Sequence, residues 1–215
     1  MRGSRVLFVF LIILFSISPA GNHHSSVYLP IRTADRQSLH ELKLTRIGQF
    51  GLTRKARPTV PAHLHTGIDV RRPSANYNDE PVFPVADGIV ISKRADGPYG
   101  QLIIEHDMGG KKVWSLYEHV AGIAVDVGDT VHAAISIARF FTREELQRFG
   151  WQFDHIHIEV LKEKPVRVKY DARHPDRHFG SYSLVCYSPN DLEGHFYNPI
   201  AFFEECFADR VESER

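Results

Sequence analysis

The sequence predicts a mainly β protein: an antiparallel sandwich or barrel-like domain with one short helical insertion and a C-terminal helix. Three observations carry that expectation. Short runs rich in β-branched and aromatic residues recur along the chain, separated by Gly and Asp punctuation. One segment, "FTREELQRFGW", carries helix start and stop signals instead, and the late run "NPIAFFEECF" follows an Asn-Pro start with amphipathic spacing. The 215 residues suffice for one ordinary domain plus appendages. With 26 basic and 26 acidic residues the charge cancels, so the basic excess of a nucleic-acid binder is missing. A hydrophobic content of 43% fits a packed core and not a disordered chain.

Taken in order, the chain begins with Arg2 and Arg5, then the apolar run from Val6 to Phe15, then the small-residue site Ser18-Pro19-Ala20. This is the layout of a secretory signal peptide (residues 1–20), with cleavage expected after Ala20. The run is short for a membrane span, which needs about 20 residues, so no stable insertion is expected after cleavage. The alternative is an uncleaved anchor. Either way the destination is exported, periplasmic or extracellular. Residues 21–45 are polar and mixed, and are expected to form a loosely packed leader, with an inhibitory role left open.

From about residue 42 the strand texture begins. "ELKLTRIGQFG" alternates and breaks at Gly51; "PVFPVADGIVISKR" places Asp87-Gly88 where a hairpin turn is expected. "YGQLIIEH", "KKVWSLYEHV" and "AVDVGDTV" supply further strands. Thr142-x-x-Glu145 is a capping-box pattern and Gly150 a helix stop, so a short helix precedes "FDHIHIEV". Residues 162–215 form a C-terminal extension expected to pack on the domain. It holds both cysteines, Cys186 and Cys206, which an exported chain allows to pair.

"FDHIHIEV" holds the chemistry. On a strand, side chains two apart share a face about 6–7 Å apart, so His155 and His157 lie together while Ile156 and Ile158 point away. Neighbouring imidazoles suit a divalent metal. "HLHTGIDV" offers His65 and Asp69 on one extended face, with Gly67 between them contributing no side chain. One His and one carboxylate here, with one of His155 and His157, make an N₂O set suited to Zn²⁺. His119, ending "SLYEHV", reads alone as a surface histidine. His63, His106 and Glu105 are not needed to complete the set. Tyr117 reads as a core residue, and Glu159 as either a support for the site or a solvent-facing carboxylate.

The ordered series "HTGID", "PVFPVADGIV", "YGQLIIEHD", "LYEHV", "VDVGDTV" and "HIHIEV" resembles the catalytic domain of lysostaphin/LytM-type zinc endopeptidases, which cut peptide cross-links in peptidoglycan. The resemblance spans residues 46–161. It implies an antiparallel β-sandwich-like LytM fold (the duplicated hybrid motif) with the site in a groove on one sheet. It further implies one Zn²⁺ per chain held by His65, Asp69 and His157, with His155 and His119 as the catalytic histidines. His155 is then the general base, and His119 hydrogen-bonds the oxyanion or the leaving amine. The implied activity is hydrolysis of peptidoglycan stem peptides or cross-links. Two alternatives stand beside it: a non-catalytic LytM-like module regulating another cell-wall hydrolase, and an exported zinc hydrolase with a non-wall substrate. The chain departs from the pattern where "TREELQRFGWQFD" replaces the usual Gly/Ser/Thr-rich loop, and where "SANYND" enlarges the loop after the first motif. Phe149 and Trp151 are therefore expected to add aromatic surface at the groove edge and to restrict the substrate range.

Overall fold

A computed structural model describes residues 26–213; the expected signal peptide and the first leader residues lie outside them. Seven strands form the principal sheet: β1 (Ile68–Arg71), β2 (Gly88–Arg94), β3 (Gln101–Met108), β4 (Lys111–Glu118), β5 (Thr130–Val131), β6 (His155–Leu161) and β7 (Phe196–Tyr197). Their order is β7-β6-β4-β3-β2-β5, and every pairing is antiparallel. β6 gives one edge to β4 and divides the other, pairing residues 155–158 with β1 and 160–161 with β7. Two-residue ladders join Thr53–Arg54 to His63–Leu64, Pro81–Val82 to Ala138–Arg139, and Val166–Arg167 to Phe179–Gly180. The mainly β, antiparallel expectation holds.

Strand alternation sorts the side chains onto two faces. Val70, Ile156, Ile158, Val160, Tyr117, Leu102 and Ile104 enter the larger core. The other face carries Asp69, His155, His157, Glu159, Leu116 and Ile103, and its lower part is covered by a second cluster that includes Trp114, Leu161, Phe179, Cys186 and Phe196. The larger core lies behind the sheet from the histidines, so apolar burial anchors β6 without covering its polar edge.

Helix α1 (Arg143–Phe149) forms as expected, with the full capping box between Thr142 and Glu145 and Gly150 as its C-cap. After α2 (Pro189–His195), α3 (Pro199–Ser213) realises the Asn-Pro helix and buries Phe202 and Phe203 in the larger core. Three expectations change. Asp87-Gly88 does not close a hairpin: Pro81–Val82 pairs with Ala138–Arg139, whereas β2 pairs with β3 and β5. The Asp87 carboxylate instead accepts from the Ala133 N–H at 2.8 Å, pinning a distant loop. The leader is not loosely packed, because Val27, Leu29 and Ile31 alternate into the larger core and Ile31 bridges Val82. The cysteines are unpaired, with Cys186 buried in the second cluster and Cys206 packed against the larger one, on opposite faces of the sheet. Burial pushes both thiols up to about 11.

Candidate metal centre

Antiparallel register places Asp69 of β1 directly opposite His157 of β6. His65 enters from the turn between His63–Leu64 and β1, and Gly67 lets that turn lie against β6. A Cβ on Gly67 would collide with Ile158 O and stand 2.9 Å from His157 Cε1. Three atoms converge as a result. His65 Nε2 lies 3.0 Å from Asp69 Oδ1 and 3.0 Å from His157 Nδ1, and His157 Nδ1 lies 3.1 Å from Asp69 Oδ1.

The outer hydrogen bonds fix which ring atoms face this focus. His65 Nδ1 lies 2.9 Å from Gln49 O, which can only accept, so Nδ1 carries the proton and Nε2 the lone pair. His157 Nε2 donates to Glu159 Oε1 at 3.1 Å, turning Nδ1 inward. Glu159 also accepts from Thr66 Oγ1 at 2.5 Å and is buried, so it supports the site and does not face solvent. Asp69 Oδ2 accepts from Arg54 at 2.7 Å, leaving Oδ1 for the focus. Two imidazole nitrogens and one carboxylate oxygen thus point at one place, each oriented from behind. That is the donor set and support of a three-ligand Zn²⁺ site, so the residues fit the ion.

The electrostatics agree. Burial lowers His65 against the pull of Asp69, which keeps its imidazole neutral. Burial alone would lower His157 too, but hydrogen bonds to Asp69 and Glu159 outweigh it and raise it to about 10. Burial would raise Asp69, yet its bonds to His157 and His65 hold it far below the usual carboxylate range. The negative charge that raises His157 comes from Asp69 at Nδ1 and from Glu159 at Nε2.

His155 and His119 stand beside this set. His155 Nε2 lies 3.7 Å from Asp69 Oδ1, and burial pushes the ring down to about 4, so it is a neutral base at pH 7. The His119 ring sits 5.0 Å from that of His155. Its backbone is left-handed (φ 63°), an uncommon conformation for a residue with a Cβ. Its Nδ1 lies 2.6 Å from Pro98 O, so that nitrogen bears the proton and Nε2 the lone pair. Burial lowers its pKa as well.

All five predicted residues therefore line one groove of about 640 Å³. His106 does not, being fully buried behind the sheet against Ser115 Oγ at 2.7 Å. His63 lines the groove, but its Nδ1 bonds to Pro61 O. Tyr117 is a core residue. Phe149 and Trp151 do not line the groove: Phe149 packs at a tilt against Phe141, and Trp151 meets Tyr77 edge-on. The aromatic edge comes from Phe153, whose ring is 4.9 Å from that of His119, and from Tyr99. The sequence reading also missed Arg54 and Thr66, and the extension residues Arg177, Ser181 and Ser183. Thr66 sits inside the quoted first motif, whereas the others come from segments without periodicity or spacing to flag them.

No curated protein matches the chain. Among solved structures, a zinc containing peptidase from Vibrio cholerae is 27% identical, with a TM-score of 0.44, over 66% of this chain and 39% of that one. Lysostaphin is 16% identical, with a TM-score of 0.48, over 86% of this chain and 56% of its own. A putative glycyl-glycine endopeptidase lytM from Ruminococcus gnavus is 16% identical, with a TM-score of 0.43, over 79% and 63%. The chain thus spans less than two thirds of each of these three. Residues 45–169, more than half of the sequence, match the model of peptidase family M23, and the chain belongs to that family.

Proposed function

We propose that the chain is a zinc-dependent endopeptidase that hydrolyses peptide bonds in peptidoglycan stem peptides or cross-links. The observation that carries this reading is the convergence of two imidazole nitrogens and one carboxylate oxygen, with the His155 and His119 rings alongside. His65 Nε2, Asp69 Oδ1 and His157 Nδ1 would hold one Zn²⁺. The ion would supply Lewis acidity there, the chemistry that lets water give up a proton near neutral pH.

The chain's own residues handle the protons. His155, kept neutral by burial and 3.7 Å from a ligand oxygen, accepts the proton of the attacking water at Nε2. His119 has committed its Nδ1–H to Pro98 O, so Nε2 presents a lone pair. The proton that His155 has taken passes to the leaving amine, which frees the base, while His119 Nε2, an acceptor in the neutral ring, aligns the water. That nitrogen donates to an oxyanion only once protonated. Arg54 and Glu159 orient the ligands from behind, and Tyr99 and Phe153 pack against His119.

Three further readings belong to this proposal: an exported location, a peptidase unit over residues 46–161, and a packed extension over residues 162–215. The test is elemental analysis combined with digestion of purified peptidoglycan. One Zn²⁺ per chain is expected, lost in Asp69→Ala and His157→Ala. His155→Ala and His119→Ala should keep the metal and lose about 10²-fold or more in activity. Full zinc occupancy in the first pair would remove the ligand set. Zinc binding without any cleavage by the native chain would favour a regulatory module.

A further inference from the structure

The two ends of the groove differ in chemistry. Toward His155 it is aromatic, with Tyr99 and Phe153 packed around His119. Toward Glu159, about 13 Å along the strand, it is bounded by the extension. Phe179 is anchored there by Ser92, whose Oγ donates to its carbonyl at 3.1 Å, and the Leu64 N–H donates to Cys186 O at 2.8 Å. Between those anchors Ser181, Ser183 and Leu184 line the groove, as does Arg177 just before the first, all beyond the segment that matches the family. Arg54, Lys55 and Arg57 line it as well, so four cationic side chains face three acids, Asp69, Glu118 and Glu159.

Two of those acids are already engaged. Asp69 takes Arg54 and the ligand focus, and Glu159 takes Thr66 and His157, both on Oε1. Arg54 is thereby the one cation with an internal partner. Among the described residues Lys55, Arg57 and Arg177 make no side-chain ion pair, and Arg177 Nε is buried with no hydrogen-bond acceptor. A buried guanidinium nitrogen without an acceptor is costly, and a carboxylate supplies one in the geometry arginine favours.

Resting on the peptidase reading above, we infer that Arg177, with Arg57 and Lys55, binds a free carboxylate of the peptide substrate. The protein then selects acidic peptides over amidated or uncharged ones. The aromatic end suits the less polar part of the same peptide. The carboxylate can come from an acidic side chain or from the peptide's C-terminus, since both present the same two oxygens.

The test uses four versions of one short peptide, with the side-chain and the C-terminal carboxylates each either free or amidated. Binding is measured by calorimetry on the zinc-loaded full chain carrying His155→Ala to prevent turnover. Cleavage by the native chain is followed separately. A free carboxylate in one arm should tighten binding by about 10- to 100-fold, the worth of a charge-assisted hydrogen bond, and the arm that responds names the source. Arg177→Gln should abolish that difference while zinc content and melting temperature stay unchanged. Arg57→Gln should reduce it, which keeps the idea testable if the first variant fails to fold. Equal binding of all four peptides, binding of none, or discrimination that survives both variants would overturn the subsite. Discrimination without any cleavage would sink the peptidase reading and leave the subsite intact. Equal cleavage of free and amidated peptides would do the reverse.

Discussion

Gly67 shows how one missing methyl group builds a site. The turn that carries His65 must lie against β6 for His65 Nε2 to reach within 3.0 Å of His157 Nδ1, and a Cβ there meets Ile158 O and His157 Cε1. The first obstacle is backbone, which cannot swing aside. Gly67→Ala should therefore cost about 1–3 kcal/mol or more in urea unfolding, as overpacking does. It should also lower zinc content below one per chain, because the turn moves away from β6. An alanine variant with unchanged stability and full zinc would show that the turn tolerates displacement. Spacing makes this glycine legible in the sequence, since it falls between two ligands on one extended face. Arg54 was not legible: it lies 15 residues from Asp69, and only the pairing of Thr53–Arg54 with His63–Leu64 brings it to Oδ2. The unusual backbone of His119 was equally hidden, because no local pattern signals a left-handed histidine at the end of a strand.

β3 and β4 share a buried polar chain on the face away from the metal centre. His106 Nδ1 donates to Asp87 O at 2.9 Å, and its Nε2 meets Ser115 Oγ at 2.7 Å. Ser115 Oγ lies 2.9 Å from the Tyr117 hydroxyl, which accepts from the Val85 N–H at 2.8 Å. Every polar atom of the chain has a partner, so this histidine is a satisfied core residue. Burial pushes it down to about 4 from an ordinary value of 6.5. Between those two pH values the unfolded chain binds a proton that the folded chain refuses. Stability should be complete above pH 6.5, fall as pH drops toward 4 by up to ~3 kcal/mol, and then flatten. Urea unfolding across that range checks it; a His106→Gln variant whose stability falls in parallel with the native protein would place the effect elsewhere. A different lesson comes from α1, whose capping box was readable but whose role was not. Its Glu145 pairs with Arg139 at 2.6 Å, while Tyr77 of the enlarged loop packs on Trp151 just beyond it. Arg72 and Tyr77 then hold Asp154, at 2.9 and 3.2 Å, immediately before His155. Replacing Arg143 to Phe149 by a Gly/Ser loop should leave the preference among peptides unchanged and lower kcat by loosening His155. A changed preference at constant kcat would return the helix to the groove edge.

The whole molecule wraps one sheet from both sides, and both wrappings lie outside the repeating strand texture. The β-rich middle was legible because alternation within β4 and β6 matches the two faces they bury. The C-terminal helix was legible because Phe202 and Phe203 fall where an amphipathic start predicts. The leader was misread because its alternation is brief, with Val27, Leu29 and Ile31 set among polar neighbours. Long-range partners decide its place. Arg36 donates to Leu29 O, Ala133 O and Pro84 O at 2.8, 2.6 and 3.2 Å, and its guanidinium stacks 4.3 Å over Phe83. These contacts fasten residues 26–37 to the larger core, behind the sheet from the metal centre. Of the described residues lining the groove, the first along the chain is Ile47. A segment so placed stabilises the fold, and none of residues 26–37 lines the groove. Leu29→Ala should accordingly cost about 2–5 kcal/mol, the range for a fully buried leucine. At temperatures where the variant stays folded, kcat/KM should match that of the native chain. An inhibitory leader predicts the opposite, since loosening it would open the groove and raise kcat/KM as stability falls. Peptide cleavage measured beside urea unfolding on the same preparations separates the two.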